Sequence, residues 1–215
     1  MIEPKWRNVL FDLDGTLADT VPLILASYEH TFQTVLGKSV DKNLAITWIG
    51  RTLADAFNEY DPTHAKEMER VYLDFNGRNL RRLATGFDGI PDLLHKLQDS
   101  GARTGIVTSK RRSVAQATME VAGLPSDMVL AVGMEDTKAH KPKPEPILAG
   151  IKALGANPSE TVYVGDAVVD LQAAANASIA GIGVLWGAGA ADEMRAQPNA
   201  GIATSVKELA ELLLK

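Results

Sequence analysis

The sequence predicts an α/β fold: a three-layer, Rossmann-like core with a parallel sheet, plus a small all-helical cap domain inserted after the first strand. Short apolar runs alternate with helix-like segments over most of the 215 residues, which is typical of a parallel sheet covered by helices on both faces. One long interval lacks a strand pattern, and polar residues follow several of the apolar runs. A chain of this length suits one large domain or a core with a modest insert.

Five short apolar runs are predicted to be buried strands. They cover residues 9–11, 103–109, 128–133, 161–166 and 179–186. Each is too short for a typical helix and is rich in the aliphatic residues found in strands that are buried on both faces. The spacing between them leaves room for the crossover connections that parallel strands require.

Helical periodicity fills the intervals between these strands. Apolar residues share one helical face at positions 90, 93, 94 and 97, and again at positions 147, 148, 151 and 154. Pro91 begins the first of these helices, while Gly101 and Gly155 follow the two ends, as is usual for helix termini. The last helix is predicted to begin with a capping box formed by Ser205 and Glu208.

The interval from residue 19 to residue 83 contains no convincing strand and is predicted to be the cap domain. Residues 1–18 and 84–215 then form the core domain. Two stripes of apolar residues at helical spacing support the helical assignment. The stripes consist of Val21, Leu25, Tyr28, Phe32 and Val35, and of Met68, Val71, Tyr72 and Phe75.

Composition excludes several classes of function. The net charge is -5 and the pI is about 5.4, which argues against nucleic acid as a partner because phosphate backbones are bound by clustered Lys and Arg. The chain has no cysteine, so disulfides, thiolate zinc sites and cysteine nucleophiles are excluded. A small anionic substrate remains compatible, since a few local cations can bind it.

The sequence also carries an expectation about cellular location. The first residues lack the apolar segment of a signal peptide, and no apolar run is long enough to span a bilayer. We therefore expect a cytoplasmic protein with no membrane partner, acting as a monomer or a homodimer.

Polar residues gather where the predicted strands end. Ligands of open parallel sheets bind beyond the carboxyl ends of the strands, so these residues are expected to meet at one site. They are Asp12 and Asp14 after the first strand, Thr108, Ser109 and Lys110 after the second, Lys141 in the loop after the third, and Asp166 and Asp170 at the end of the fourth.

Four converging carboxylates would repel one another and raise each other's pKa values unless a cation lay between them. Oxygen ligands without His or Cys suit Mg²⁺, which commonly takes one or two carboxylates together with phosphate oxygens of the substrate. A carboxylate beside a phosphoryl group can attack phosphorus and form an aspartyl-phosphate. A second carboxylic acid can protonate the leaving oxygen and later deprotonate water.

The motifs "DLDGT", "TSK", "KPKPEP" and "GDAVVD" resemble, in order and spacing, the four motifs of the haloacid dehalogenase superfamily. The helical insert after the first motif is similar to that of its capped phosphatases. The resemblance implies that Asp12 is the nucleophile and Asp14 the general acid and base. It also implies that Asp12, the carbonyl of Asp14 and Asp166 hold Mg²⁺ with support from Asp170. Thr108, favoured over Ser109, would bind the phosphoryl group, and Lys141, favoured over Lys143, would neutralise it.

A further set of residues is expected to bind the substrate. In capped relatives a glycine-containing loop of the cap reads the leaving group, and "WIGRTL" places Gly50 and Arg51 there; an ordinary surface arginine is an equal alternative for Arg51. Arg suits a carboxylate or a second phosphate. The full expected set is Gly15, Thr16, Ser109, Lys110, Gly50 and Arg51.

The expected activity is Mg²⁺-dependent hydrolysis of a small phosphorylated metabolite resembling phosphoglycolate. Two alternatives use the same motifs: inorganic pyrophosphate hydrolysis, which a lysine after "TS" slightly favours, and a β-phosphoglucomutase-like transfer. A phospho-acceptor receiver domain also gathers Asp, Thr and Lys around Mg²⁺. That class is disfavoured because the second predicted strand ends in Thr-Ser-Lys without an accepting Asp, and a receiver has no helical insert.

Overall fold

The computed structural model describes residues 3–215, and that range contains eight strands. In chain order they are β1 (Asn8–Phe11), β2 (Ala18–Asp19), β3 (Thr85–Gly86), β4 (Arg103–Val107), β5 (Val129–Val132), β6 (Thr161–Gly165), β7 (Ala180–Val184) and β8 (Gly201–Ala203). Six of them form one parallel sheet in the order β5-β4-β1-β6-β7-β8. β2 and β3 pair separately and antiparallel.

Ten α-helices connect the strands within the described residues. They are α1 (Val21–Leu36), α2 (Lys42–Thr47), α3 (Leu53–Tyr60), α4 (Ala65–Leu83), α5 (Ile90–Asp99), α6 (Arg112–Val121), α7 (Glu145–Ala153), α8 (Val168–Asn176), α9 (Ala191–Arg195) and α10 (Val206–Leu213). None of the helices in residues 3–215 is both long and apolar enough to cross a membrane.

Two apolar layers sandwich the sheet because neighbouring residues of a strand point to opposite faces. Val9 and Phe11 of β1 pack with α5, α6 and α10 on one face, whereas Leu10 packs with α7 and α8 on the other. All three side chains are fully buried. Strand β1 is therefore apolar on both faces from Val9 to Phe11, and the α/β class predicted from the sequence is confirmed.

The strand and helix predictions differ from the structure in a few places. All five predicted strands are present. Strand β1 begins one residue earlier than predicted, and the other four are shorter at one or both ends. The sequence did not predict β2, β3 and β8, because they are short and carry few apolar residues. Leu148 does not share the buried face of α7, since 44% of it is exposed. In the last helix Ser205 accepts from the amide of Glu208, but the Glu208 carboxylate accepts from Thr204 instead of closing a capping box.

The four helices between β2 and β3 have an apolar cluster of their own. Its centre is aromatic: the ring centroid of Tyr28 lies 5.2 Å from that of Trp48, 5.7 Å from Phe57 and 4.9 Å from Tyr72. Such tilted and edge-to-face pairs add to the stabilisation from burial alone. The helices therefore have a core that is distinct from the core around the sheet, while the division of the chain into two domains stays a prediction.

We predict that Phe57→Ala lowers the free energy of unfolding by about 3–5 kcal/mol, because Phe57 is fully buried and its loss leaves a cavity. Phe75→Ala is the matched control, since Phe75 is only half-buried and stacks on His30. Denaturant titration of both variants measures the difference, and equal losses would contradict the prediction.

Candidate active site

The carboxyl edge of the sheet brings together three of the predicted side chains from adjacent strands. Phe11 of β1 is in register with Ile106 of β4 and with Val164 of β6. Asp12, Thr108 and Asp166 follow within two residues of these positions, so parallel pairing delivers them to the same edge. All three are buried, with at most 4% of any of them exposed.

Lys141 joins this edge from the loop before α7 and is itself buried, with 3% exposed. Its Nζ lies 2.9 Å from Oδ1 of Asp12 and 2.6 Å from Oδ1 of Asp170, and it donates to the hydroxyl of Tyr163 at 3.1 Å. The Tyr163 hydroxyl in turn donates to the carbonyl of Val107 at 2.8 Å. The three donors that an ammonium offers therefore all have acceptors.

Burial and mutual repulsion distort the ionisation of this cluster. Burial raises the pKa of Asp12 to about 7, with Asp170 and Asp14 adding to the rise and Lys141 opposing it. Burial also raises the pKa of Asp166 well above its usual value, and the charges of Asp170 and Asp12 add to it. Burial alone would lower the pKa of Lys141, but Asp12 and Asp170 hold it well above its usual value. The carboxylates thus outnumber the single lysine among them.

Asp12, Asp166 and Asp170 can direct one carboxylate oxygen each to a common point, with these oxygens within 4.8 Å of one another. Asp166 is fixed by Thr16, whose hydroxyl donates to Oδ1 at 3.0 Å, and by the amide of Ala188, which donates to Oδ2 at 2.7 Å. A set of buried carboxylates with an unbalanced negative charge fits a divalent cation, and oxygen donors alone suit Mg²⁺.

Two glycines leave the space that Asp166 occupies. A Cβ atom at Gly15 would lie 2.2 Å from Oδ2 of Asp166, and one at Gly187 would lie 2.1 Å from the same atom. Gly15 also has a φ of +73°, which side chains rarely adopt. Both positions therefore require glycine for the carboxylate to stay where it is.

Asp14 is held differently from Asp12. Its Oδ1 lies 2.5 Å from Nζ of Lys110 and accepts from the hydroxyl of Thr20 at 2.6 Å. Both carboxylates line the same cleft of about 270 Å³ between the sheet edge and the helices α1–α4. Of the residues expected to bind substrate, Lys110 lines this cleft but pairs with Asp14, while Thr16 contacts Asp166 and does not line it.

The loop between α2 and α3 lines the cleft on the side opposite the sheet edge. Ser109 donates from its hydroxyl to the carbonyl of Gly50 at 2.7 Å, which joins the sheet edge to this loop. A Cβ atom at Gly50, whose φ is +88°, would come within 3.2 Å of Ala167. Arg51 lines the cleft, and its guanidinium lies 2.5 Å from the carboxylate of Glu59; its expected role in substrate binding stays a prediction.

Several residues of the cleft were not identified by motif. They come from α1, the 48–52 loop, the first residues of α3 and α4 on one side, and from residues 111–140 on the other. They include Tyr28, Trp48, Leu53, Glu69, Tyr72, Leu73, Asn76, Arg111, Val114, Met134, Lys138 and His140. Helical periodicity marked Tyr28 and Tyr72 as buried, but it does not tell a side chain packed in a core from one that also borders a cleft.

The fold and this edge of the sheet define a class of hydrolase. Residues 9–184 match the family model of the haloacid dehalogenase-like hydrolases, and the chain belongs to that family. It is a phosphatase of the haloacid dehalogenase type, as the sequence motifs predict.

Individual relatives are similar over nearly the whole chain. The pyrophosphatase PpaX of Bacillus pumilus is 35% identical over 186 residues, which is 86% of each protein. A haloacid dehalogenase-like protein from Bacteroides fragilis is 28% identical, with a TM-score of 0.88 over 95% of this chain and 100% of that one. A protein from Lactobacillus plantarum, provisionally named phosphoglycolate phosphatase, is 25% identical with a TM-score of 0.84 over 97% and 99% of the two chains.

We predict that Gly15→Ala weakens Mg²⁺ binding at least tenfold, because the added methyl group would overlap Oδ2 of Asp166. Gly37→Ala is the matched control: its φ of +64° imposes a similar backbone strain, but nothing lies within 4 Å of the added atom. Isothermal titration with Mg²⁺ compares the two variants. Equal Mg²⁺ affinity in the two variants would contradict the prediction.

We predict that the metal-free protein loses stability as the pH rises from about 4 to about 8. The pKa of Asp12 is raised from 3.8 to about 7, so the folded state binds more protons than the unfolded state between these values. This contribution is complete below 3.8 and lost as the pH passes 7. Denaturant unfolding in the presence of a chelator measures the effect.

Two comparisons isolate the contribution of Asp12. Asp12→Asn removes the titration and should give a flatter pH dependence over the same range. Added Mg²⁺ should stabilise the wild-type protein more at pH 8 than at pH 5, because the ligands must be deprotonated to bind metal. A wild-type protein whose stability rises steadily from pH 5 to pH 8 without metal would contradict the prediction.

Proposed function

We propose that the protein is a cytoplasmic, Mg²⁺-dependent phosphatase that hydrolyses a small phosphorylated metabolite through an aspartyl-phosphate on Asp12. The observation that carries the proposal is the meeting of Asp12, Asp14 and Thr108 on the floor of one cleft, with Lys141 and two further carboxylates directly behind Asp12.

The residues divide the reaction into two steps. A carboxylate oxygen of Asp12 attacks phosphorus, the bond to the leaving oxygen breaks, and Asp14 gives that oxygen its proton. Water then attacks the aspartyl-phosphate, Asp14 takes the proton from water, and inorganic phosphate leaves as Asp12 is restored. When bound by Asp12, Asp166 and the carbonyl of Asp14, with support from Asp170, Mg²⁺ supplies positive charge to the phosphoryl oxygens.

Lys141 and Thr108 support both steps. Lys141 lies 2.9 Å from Asp12, so its charge orients the attacking carboxylate and offsets the negative charge of the transferring group. The hydroxyl of Thr108 lies at the same edge and can donate to a phosphoryl oxygen. Lys110 holds Asp14 beside the cleft until an anionic substrate competes for its charge.

Two kinds of substrate are supported by different observations. A phosphoglycolate-like monoester is favoured by Arg51, which borders the cleft beside Asp14 and suits a carboxylate. Inorganic pyrophosphate is favoured by the name of the curated relatives that are 35% identical to this chain. A rate panel with phosphoglycolate, pyrophosphate, β-glucose-1-phosphate and p-nitrophenyl phosphate separates these activities and the mutase alternative.

We predict that Asp12→Asn lowers kcat by at least a thousandfold while the far-ultraviolet circular dichroism and the melting transition show a folded protein, because the amide is a poor nucleophile. Chelation should abolish wild-type activity, and Mg²⁺ should restore it. Borohydride reduction during turnover should convert Asp12 to homoserine, which mass spectrometry detects. Activity above a tenth of wild type in Asp12→Asn would sink the assignment of the nucleophile.

A further inference from the structure

We propose that the cleft binds an organic leaving group with an apolar body, and that esters of this kind are better substrates than pyrophosphate. The inference rests on the proposed phosphatase function and narrows its substrate class. With the phosphoryl group at Asp12, the leaving group must occupy the remainder of the cleft, so the side chains there decide what is accepted.

Half-buried apolar side chains border that space from both sides. Leu53 and Leu73 come from the helices of the inserted region, and Val114 and Met134 come from the core. Among the described residues, Val114 and Met134 pack against none of the four apolar clusters. The part of their apolar surface that stays exposed borders the cleft and is available to a ligand, whose burial there would be favourable.

The charges bordering the same space are largely paired. Arg51 lies 2.5 Å from Glu59, Arg111 lies 2.6 Å from Glu69, and Lys110 lies 2.5 Å from Asp14. Asp55 adds a further negative charge to the lining.

Lys138, which is exposed, is the one lysine or arginine of the lining without an ion pair in residues 3–215. A second phosphate would have to displace existing carboxylate partners or rely on this single exposed lysine. An apolar body faces no such competition, and the lining therefore favours an organic alcohol over a phosphate as the leaving group.

A homologous series of n-alkyl phosphates tests this. Ethyl, n-butyl and n-hexyl phosphate have leaving alcohols of nearly equal acidity, so differences in kcat/KM report burial of the chain. We expect kcat/KM to rise about two- to fourfold per added methylene, the upper value corresponding to ~0.8 kcal/mol per buried CH₂. Pyrophosphate measured under the same Mg²⁺ concentration should have a lower kcat/KM than n-hexyl phosphate.

Variants locate the effect in the cleft. The double variant Val114→Thr/Met134→Gln keeps the shape of both side chains but makes them polar, and it should reduce the gain per methylene to less than half on a logarithmic scale. The control is Val129→Thr, which makes the same change at an exposed site of strand β5 and should leave the slope unchanged.

Different outcomes would overturn the inference about the leaving group and the proposed phosphatase function. Esters hydrolysed with no dependence on chain length, or pyrophosphate exceeding every ester, would overturn the inference and leave the phosphatase function intact. No hydrolysis of any phosphate ester with Mg²⁺ would overturn the proposed function, and the inference with it. Should the double variant fail to fold, the wild-type series alone decides the matter.

Discussion

The buried ammonium of Lys141, placed between Asp12 and Asp170, is the interaction on which the rest of the site depends. Three ionisable groups, each with at most 3% exposed, lie within 2.9 Å of their partners. Burying a charge without a partner is strongly destabilising, so the lysine stabilises both carboxylates at this edge of the sheet. The position of the loop before α7 is therefore as important to the site as the strands themselves.

The sheet supplies the geometry that this charge pairing needs. Parallel pairing of β1 with β4 and β6 places Asp12, Thr108 and Asp166 at one edge, while the apolar faces of β1 fix its height between the helices. Tyr163 of β6 extends the same network inward, because its hydroxyl links Lys141 to the carbonyl that ends β4. The packing of the core around β1 and β6 therefore also determines the orientation of the reactive groups.

Much of the fold and of the candidate site could be predicted from the sequence. The features that could not be predicted have identifiable physical reasons. Asp12 and Asp166 could be placed because charged residues that end neighbouring parallel strands meet at one edge of the sheet. Lys141 lies in a loop and was identified by the resemblance of "KPKPEP" to a family motif. The contact of Thr16 with Asp166 spans 150 positions, and no local pattern records it. Strand β8 has only three residues, so it pairs because β7 offers an edge and not because its sequence is strongly strand-forming. Leu148 fitted the helical period yet lies outside the buried face.

The two glycines beside Asp166 have a consequence for how the protein can vary. Every other amino acid adds a Cβ atom, and at Gly15 and Gly187 that atom would lie about 2 Å from the same carboxylate oxygen. The carboxylate of Asp166 cannot move away easily, because it accepts hydrogen bonds from Thr16 and from Ala188. These are the residues that directly follow the two glycines. In a random mutational library, almost every variant altered at either glycine would therefore be inactive. Variants altered at the half-buried leucines of the cleft wall would largely keep their activity. Selection for new substrates in this molecule has a route that leaves its reaction chemistry untouched.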